Sequence, residues 1–360
     1  MDLILRDNNL KAISIIDTYE SLIWTDRYDS YGDFQICMPI TKEVFDLMRM
    51  DYYLQNRDSE HVMIIESLEI KSDAEAGNLL TITGRSLESI LNRRIVWGMK
   101  TLSGNLQDAI KSLLDDCIIS PMDRNRQISN FIFEYSTDPA ITELTIESQY
   151  TGDNLYDIIH NICSERNIGF KITLNDNNQF VFKFYAGVDR SYNQTSNPYV
   201  IFSPKFDNLS NSNYIESLSA MKTVALIGGE GEGSARKYVM IFNSKHDVML
   251  FYSGLGRREI FVDARDLASQ TDDGETISEW GYEEMLRQRG REKFEENAKL
   301  TSFEGEIQTT NMFKYGEDFF NGDIVQIANE YGHNSRVRII EMVTSDNSSG
   351  YSVYPTFKTI

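Results

Sequence analysis

The chain has 360 residues, with 35 Lys+Arg against 55 Asp+Glu and a formal net charge of −20. At roughly 150 residues per domain that length suggests two or three domains, and 41% apolar with 25% charged residues excludes wholesale disorder. The acidic balance argues against a broad nucleic-acid-binding face or an anionic-membrane face, since both need clustered Lys and Arg.

The first hundred residues read mostly as strands. Leu3-Ile4-Leu5, Ala12 to Ile16, Ser21 to Tyr28 and Gly32 to Met38 show strand-like runs, several of them alternating. Thr41 can cap a short helix through Met50. Val62 to Lys71 and Asn78 to Thr83 read as a hairpin over the turn-rich Ser72 to Gly77, and Leu87 to Arg93 as a short helix.

The middle of the chain changes period. Leu106, Ala109, Ile110, Leu113, Leu114 and Cys117 fall on one face of a helix that Ser103 or Asn105 can cap. Leu155, Ile158, Ile159, Ile162 and Cys163 mark a second helix starting near Asp153-Asn154. Strands at Gly169 to Leu174 and Gln179 to Tyr185 are joined by Asn175 to Asn178, whose side chains suit a hairpin tip. The polar stretch Asp189 to Pro198 reads as a boundary. Beyond it, Ser217 to Leu226 and Tyr238 to Tyr252 look like strands, and Thr276-Ile277-Ser278-Glu279 fits a capping box for a helix reaching Lys299. Charges from Glu283 to Lys293 predict a solvated helix face. The last sixty residues return to strands.

The chain also echoes itself. Gly32-Asp33-Phe34-Gln35-Ile36 resembles Gly322-Asp323-Ile324-Val325-Gln326-Ile327, and Ile64-Ile65-Glu66 leading to Asp73 and Gly77 resembles Ile339-Ile340-Glu341 leading to Asp346 and Gly350. A repeat in this order predicts two related β-barrels. The expected fold class is α+β and β-rich. Its barrels take 1–98 and 301–360, the second completed by strands from 198–255. An α+β insert takes 99–197, and a mixed segment with the helix 277–299 takes 198–300.

Candidate chemistry is sparse. Cys37, Cys117 and Cys163 form no CxxC pair and suit buried small hydrophobes in a reducing compartment. His61, His160, His246 and His333 make no HExxH or i, i+4 pair, which leaves a zinc site unsupported. Gly228 to Gly233 fails as a dinucleotide loop, because the sixth position from Gly229 is Ser234 and two glutamates stand where an anion would sit. That run reads as a flexible acidic loop. Asp263 to Asp266 and Asp272 to Glu275 do not match a calcium loop. No GxSxG elbow occurs. The expected site assignments are no catalytic, cofactor-binding or metal-ligating residue, no cofactor, and an interface not assignable from sequence. Tyr28, Tyr31, Tyr52 and Tyr53 sit near polar turns and suit a protein interface. The opening MDLILRDNNL lacks a secretory apolar core, and no run of about 18 apolar residues occurs, so synthesis in a cytoplasm without membrane insertion is expected.

Four blocks in order carry a family resemblance: Tyr19 to Tyr28 with Tyr31 to Phe34 and Met38-Pro39; Gly228 to Arg236; Gly254 to Asp266; and Gly350 to Phe357. They resemble tail-hub (tail-associated) baseplate proteins of bacteriophages with long non-contractile tails. The resemblance implies a non-enzymatic homotrimer at the virion tail tip, made in the host cytoplasm, with two tail-tube-like barrels per subunit. It implies a hexameric distal tail protein as partner, with receptor-binding proteins around the hub. A tape-measure protein and DNA, bound without specificity, would occupy the channel. It further implies a short form without a C-terminal fibre or lysin. Other readings are a cell-wall-degrading tail peptidase or glycosidase, and a carbohydrate-binding host-recognition protein.

Overall fold

A computed structural model of the chain describes residues 1–73, 77–243, 253–307, 312–329, 331 and 334–360. Histidines 246 and 333, and the strand expected over 244–252, lie outside the described residues.

The chain opens with β1 (Leu3–Arg6), β2 (Ala12–Ile16), β3 (Ser21–Arg27) and β4 (Asp33–Pro39). Helix α1 (Lys42–Leu47) follows, its first turn closed by Thr41 Oγ1 accepting from the Val44 N–H. Next come β5 (Tyr53–Asn56), β6 (Val62–Asp73) and β7 (Gly77–Ser86), and a 3-10 turn over Leu87–Arg93. Inward positions of these strands alternate with outward ones. Leu3, Leu5, Leu22, Trp24, Phe34, Ile36, Leu80 and Ile82 therefore meet in one apolar core.

An inserted α+β module comes next. It holds β8 (Met99–Asn105), α2 (Leu106–Leu114), β9 (Phe131–Glu134), α3 (Pro139–Thr142), β10 (Thr145–Thr151), α4 (Leu155–Arg166), β11 (Gly169–Leu174) and β12 (Phe180–Tyr185). Asn105 and Asn154 cap α2 and α4, each side-chain oxygen accepting N–H bonds from the first turn. The apolar helix faces read from the sequence pack with Phe170, Phe182 and Phe184 into the largest core of the molecule.

The remainder carries β13 (Ile201–Phe202), β14 (Leu209–Ser217), β15 (Val224–Gly228), β16 (Tyr238–Phe242), β17 (Glu259–Asp263), α5 (Glu279–Glu296), β18 (Leu300–Ile307), β19 (Ile324–Ala328), β20 (Asn334–Asn347) and β21 (Gly350–Thr359). The strand expected over Ser217 to Leu226 is two strands. The chain turns at 218–223 to leave the large sheet for the small sheet β16-β15-β17. The α5 cap is Ser278, whose Oγ accepts from the Gly281 N–H at 3.1 Å, two residues past the expected Thr276.

Thirteen strands form one large sheet, ordered β14-β18-β21-β20-β3-β4-β7-β6-β5-β1-β2, with β13 and β19 branching from β20. The paths β3-β4-β7-β6-β5 and β14-β18-β21-β20-β19 have the same chain order and every pairing antiparallel. The register repeats as well. Seven residue pairs run from Ser67↔Thr83 to Asp73↔Gly77 in one hairpin, and seven from Glu341↔Thr356 to Asn347↔Gly350 in the other, each behind a bulge at Glu66 or Ile340. The repeat expected from sequence is thus present as two five-strand units. Two features of the expectation are corrected. Among the described residues the pairings leave an open path with ends at β14 and β2, and no closed barrel forms. Residues 32–36 and 322–327 are also not equivalent. By register β19 matches β5, and β4 matches β18, with Phe34 and Phe303 in corresponding places opposite Gly84 and Phe357.

The solvated-face expectation for α5 fails at Glu292, which is buried, while Glu283, Glu284, Arg287, Arg289, Arg291 and Lys293 are partly exposed. Tyr282, Met285, Leu286 and Phe294 pack on the small sheet, while Gln288 and Glu292 are buried on another side, against the inserted module. There Tyr150 Oη donates to Glu292 Oε1 at 3.1 Å, Arg166 Nη2 donates to Gln288 Oε1 at 3.0 Å, and Arg289 pairs with Asp266 at 2.9 Å. Charge spacing predicts water; here partners from other elements replace it. Among the described residues no helix is long and apolar enough to cross a membrane.

Candidate functional site at the junction of the two units

The two units and the inserted module meet around Tyr28, at the end of β3. Strand pairing between β3 and β20 brings the Tyr28 N–H to the Ile340 carbonyl at 3.0 Å, and Arg27 Nε to Glu341 at 2.6 Å. The Tyr28 carbonyl accepts from the Phe170 N–H at 3.2 Å and from Tyr185 Oη at 3.3 Å. Its hydroxyl donates to the Asn167 carbonyl at 3.2 Å. The Arg338 guanidinium lies 5.1 Å from the ring centre. Gly322 sits at φ +94°, and a Cβ there would come within 2.3 Å of the Tyr28 ring, so this backbone has room only for glycine. Burial pushes the Tyr28 phenol up to about 12, with Arg338 opposing.

The interface expectation is corrected for Tyr28, which is buried within the chain. Tyr28 is fully buried, Tyr31 packs at a tilt against Tyr156, Tyr53 packs on Phe180, and Tyr52 rests on the first-unit core. Polar turns surround them because the chain reverses there. The Tyr28 ring turns inward between elements of one chain, while Tyr31, Tyr52 and Tyr53 are half-buried.

Beside Tyr28 runs a buried polar seam. Asp26 accepts from Trp24 Nε1 at 2.9 Å and from Ser59 Oγ at 2.9 and 3.0 Å. His61 Nδ1 lies 3.0 Å from Glu88 Oε1, which also takes the Ile172 N–H at 2.8 Å, while Ser86 Oγ donates to the other Glu88 oxygen. Burial opposes the His61 charge, but Glu88 and Asp26 outweigh it and raise its pKa to about 9. Burial raises the Asp26 pKa. Glu88 is held below its usual range because His61, Ser86 and the Ile172 amide outweigh burial. The seam thus carries a buried cation between carboxylates, a pairing that Asp26, His61 and Glu88 gave no spacing signal for in the sequence.

A cavity of about 400 Å³ opens next to the seam, lined by Asp26, Ser59, His61, Lys171, Tyr185 and Asp323 among others. Buried Asn321 also faces it, and neither its amide oxygen nor its nitrogen has a protein partner. A polar cavity of this size suits ordered water. The grouping of Ser59, His61 and Asp26 does not make a nucleophilic relay. Ser59 Oγ donates to Asp26 and accepts the His61 backbone N–H, and the His61 ring is engaged with Glu88. What the arrangement does chemically is neutralise and lock a junction.

The remaining candidates from sequence are dispersed. His160 Nδ1 donates to the Asp29 carbonyl at 2.7 Å and stacks on Tyr156. Cys117 and Cys163 are buried and free, whereas Cys37 is half-exposed beside Thr81. The Gly228 to Gly233 loop is pinned. Arg236 donates to the Gly228 and Gly229 carbonyls at 2.8 and 3.1 Å, and the Glu230 N–H donates to Tyr282 Oη at 2.7 Å. Asp263 is engaged by Arg265 and Arg236, and holds its carboxyl down to about 2 for that reason. Among the described residues no three His, Cys, Asp or Glu side chains gather to hold a metal ion.

This architecture is shared with phage tail proteins. The prophage tail protein gp18 of Listeria monocytogenes EGD-e matches with a TM-score of 0.56 at 14% identity, over 100% of this chain and 95% of that one. The prophage MuSo2 43 kDa tail protein of Shewanella oneidensis matches at 0.60 and 11% identity, over 100% and 98%. The tail protein of Neisseria meningitidis MC58 matches at 0.57 and 10%, over 99% and 96%. The fold class is thus that of phage tail proteins. The chain itself belongs to the Siphovirus ReqiPepy6 Gp37-like protein family, whose model matches residues 2–357. Comparison with curated proteins returns no match.

Proposed function

We propose that this siphophage tail protein is the structural hub of the tail tip or baseplate, working as a homotrimer that closes the tail tube and anchors the host-recognition apparatus. The observation that supports this reading most is the repeat: two five-strand units with one topology and one register, joined edge to edge through β20 and β3. Three chains then offer six similar units, matched to a hexameric distal tail protein above. In this reading residues 1–98 and 301–360, with strands from 198–255, supply the ring. The segments 99–197 and 198–300 form the tapering lower part. Receptor-binding proteins sit around it, and the tape-measure protein and DNA occupy the channel.

The net charge of −20 fits such a channel, because acidic walls repel DNA and let it slide. No chemistry is assigned to the chain, since its buried Ser, His and Asp groups engage one another structurally. The test is assembly with the purified hexameric distal tail protein. A complex of three hub chains to six distal tail chains is expected by native mass spectrometry. Failure of the two proteins to associate, or turnover of cell-wall fragments by this chain, would overturn the reading.

A further inference from the structure

Positive charge is unevenly placed on this acidic chain. Several arginines sit beside carboxylates, as Arg85 does with Glu66, Arg190 with Asp323 and Arg236 with Asp263. Three at one side of the inserted module do not. Among the described residues, Arg94, Arg124 and Arg126 form no ion pair. Arg94 donates from Nε and Nη2 to the Arg126 carbonyl, at 3.2 and 2.9 Å, and Arg126 Nη2 donates to the Ile95 carbonyl at 2.6 Å. Arg124 opens the same short turn and is exposed. The acids close in sequence are engaged elsewhere: Asp123 caps that turn, accepting from the Asn125 N–H at 3.0 Å, and Asp116 pairs with Lys100 at 2.6 Å. Burial and the charges of Arg126 and Arg93 lower the Arg94 pKa, the sign of a local positive field.

Apolar side chains share this surface. Burial alternates over residues 95–97, with Val96 in the core of the module and Ile95 and Trp97 outside it, 47% and 60% exposed. The Arg126 guanidinium lies 4.2 Å from the Trp97 ring centre. Met122, just ahead of the arginine turn, is fully exposed. The backbone beneath is fixed: the Val96 N–H donates to the Asp153 carbonyl at 3.0 Å, and the Gly152 N–H to the Val96 carbonyl at 3.1 Å. Trp, Met and Arg are the residue types enriched where protein interfaces bind most strongly.

We infer that this surface docks an acidic polypeptide segment of another protein, its carboxylates drawn by Arg94, Arg124 and Arg126 and an apolar side chain resting on Trp97. Charge complementarity argues for that partner, since it supplies carboxylates to guanidinium groups that the chain itself leaves without them. An isologous contact between two copies would set arginine against arginine. An anionic polymer without apolar groups would leave Ile95, Trp97 and Met122 in water. The inference goes beyond the hub reading and does not depend on the number of chains in the assembly.

The test pans a library of random linear peptides against the full chain and measures the enriched peptides by fluorescence anisotropy. Enriched sequences are expected to carry Asp or Glu beside a large apolar residue, and to bind about tenfold or more weakly to Trp97→Ala and to Arg124→Glu. Binding should also weaken with added salt. Both side chains are exposed, so both variants should melt at the temperature of the unaltered chain. Trp280→Ala and Arg49→Glu, exposed on other elements, should bind the peptides undiminished. Enriched peptides without acidic residues, peptides that bind both surface variants unchanged, or no enrichment at all would each overturn the inference. Inorganic polyphosphate held through Arg124 with no peptide enriched would overturn it in favour of an anionic polymer. Loss of an assembled mass in Trp97→Ala, read by light scattering, would overturn it in favour of a second copy.

Discussion

Tyr28 concentrates three contacts that hold the molecule as one body: a backbone bond to β20, a carbonyl shared by β11 and Tyr185, and a ring against Gly322 and Arg338. Tyr28→Ala is expected to lower unfolding free energy by about 3–5 kcal/mol, read by chemical denaturation. Tyr28→Phe keeps the ring and loses the hydroxyl's bonds to the Asn167 carbonyl and from Arg338, so it should cost only about 1–2 kcal/mol. Equal losses from both would show that the ring does not carry the junction.

The buried seam makes a pH prediction whose sign follows from His61. Its pKa is raised from 6.5 to about 9 in the folded state. The stabilisation is therefore fully present below pH 6.5 and lost as pH rises through about 9. Melting temperature should fall between those limits, and Glu88→Gln should flatten that fall while lowering stability at neutral pH. Stability rising over that window would contradict a cationic His61. None of this was legible in sequence. Asp26, the Ser59–His61 loop and Glu88 come from three separate segments, and only the fold brings these within hydrogen-bond reach of one another.

At the scale of elements, what was legible followed local rules. Thr41 caps α1 as expected, Asn105 of the two candidates caps α2, Asn154 caps α4 at its expected start, and the faces of α2 and α4 point where their period puts them. Spacing along α5 does not reveal the partners that Gln288, Arg289 and Glu292 find in other elements. Gly290 shows how closely α5 lies on the small sheet, since a Cβ there would meet Ile241 and Ile227 at 2.7 and 2.8 Å. Gly290→Leu is expected to destabilise by roughly 1–3 kcal/mol through overpacking, despite leucine's better helix propensity. A neutral or stabilising outcome in thermal unfolding would refute that packing.

The internal repeat was legible only in part, for a physical reason. Equivalent strands keep register and bulge but not side chains. Ile340 occupies the bulge that Glu66 occupies, and Thr344 the place of Ile70. The Gly32-Asp33 echo came from strands with different partners, whereas Gly77 and Gly350, both at positive φ, are true equivalents at the two hairpin turns.

At the scale of the whole molecule, the thirteen-strand sheet is open at β14 and β2 among the described residues. In the proposed hub the charge of −20 faces DNA as a repulsive lining. Duplex DNA is therefore expected to show no retention by the assembled protein at physiological salt. Binding that weakens steeply with added salt would contradict that lining. The central claim, that the chain is built to be completed by copies of itself, is tested most directly by absolute mass in solution from multi-angle light scattering. The account predicts a mass near three times 41.4 kDa. A mass that stays at one chain across a wide concentration range would contradict it.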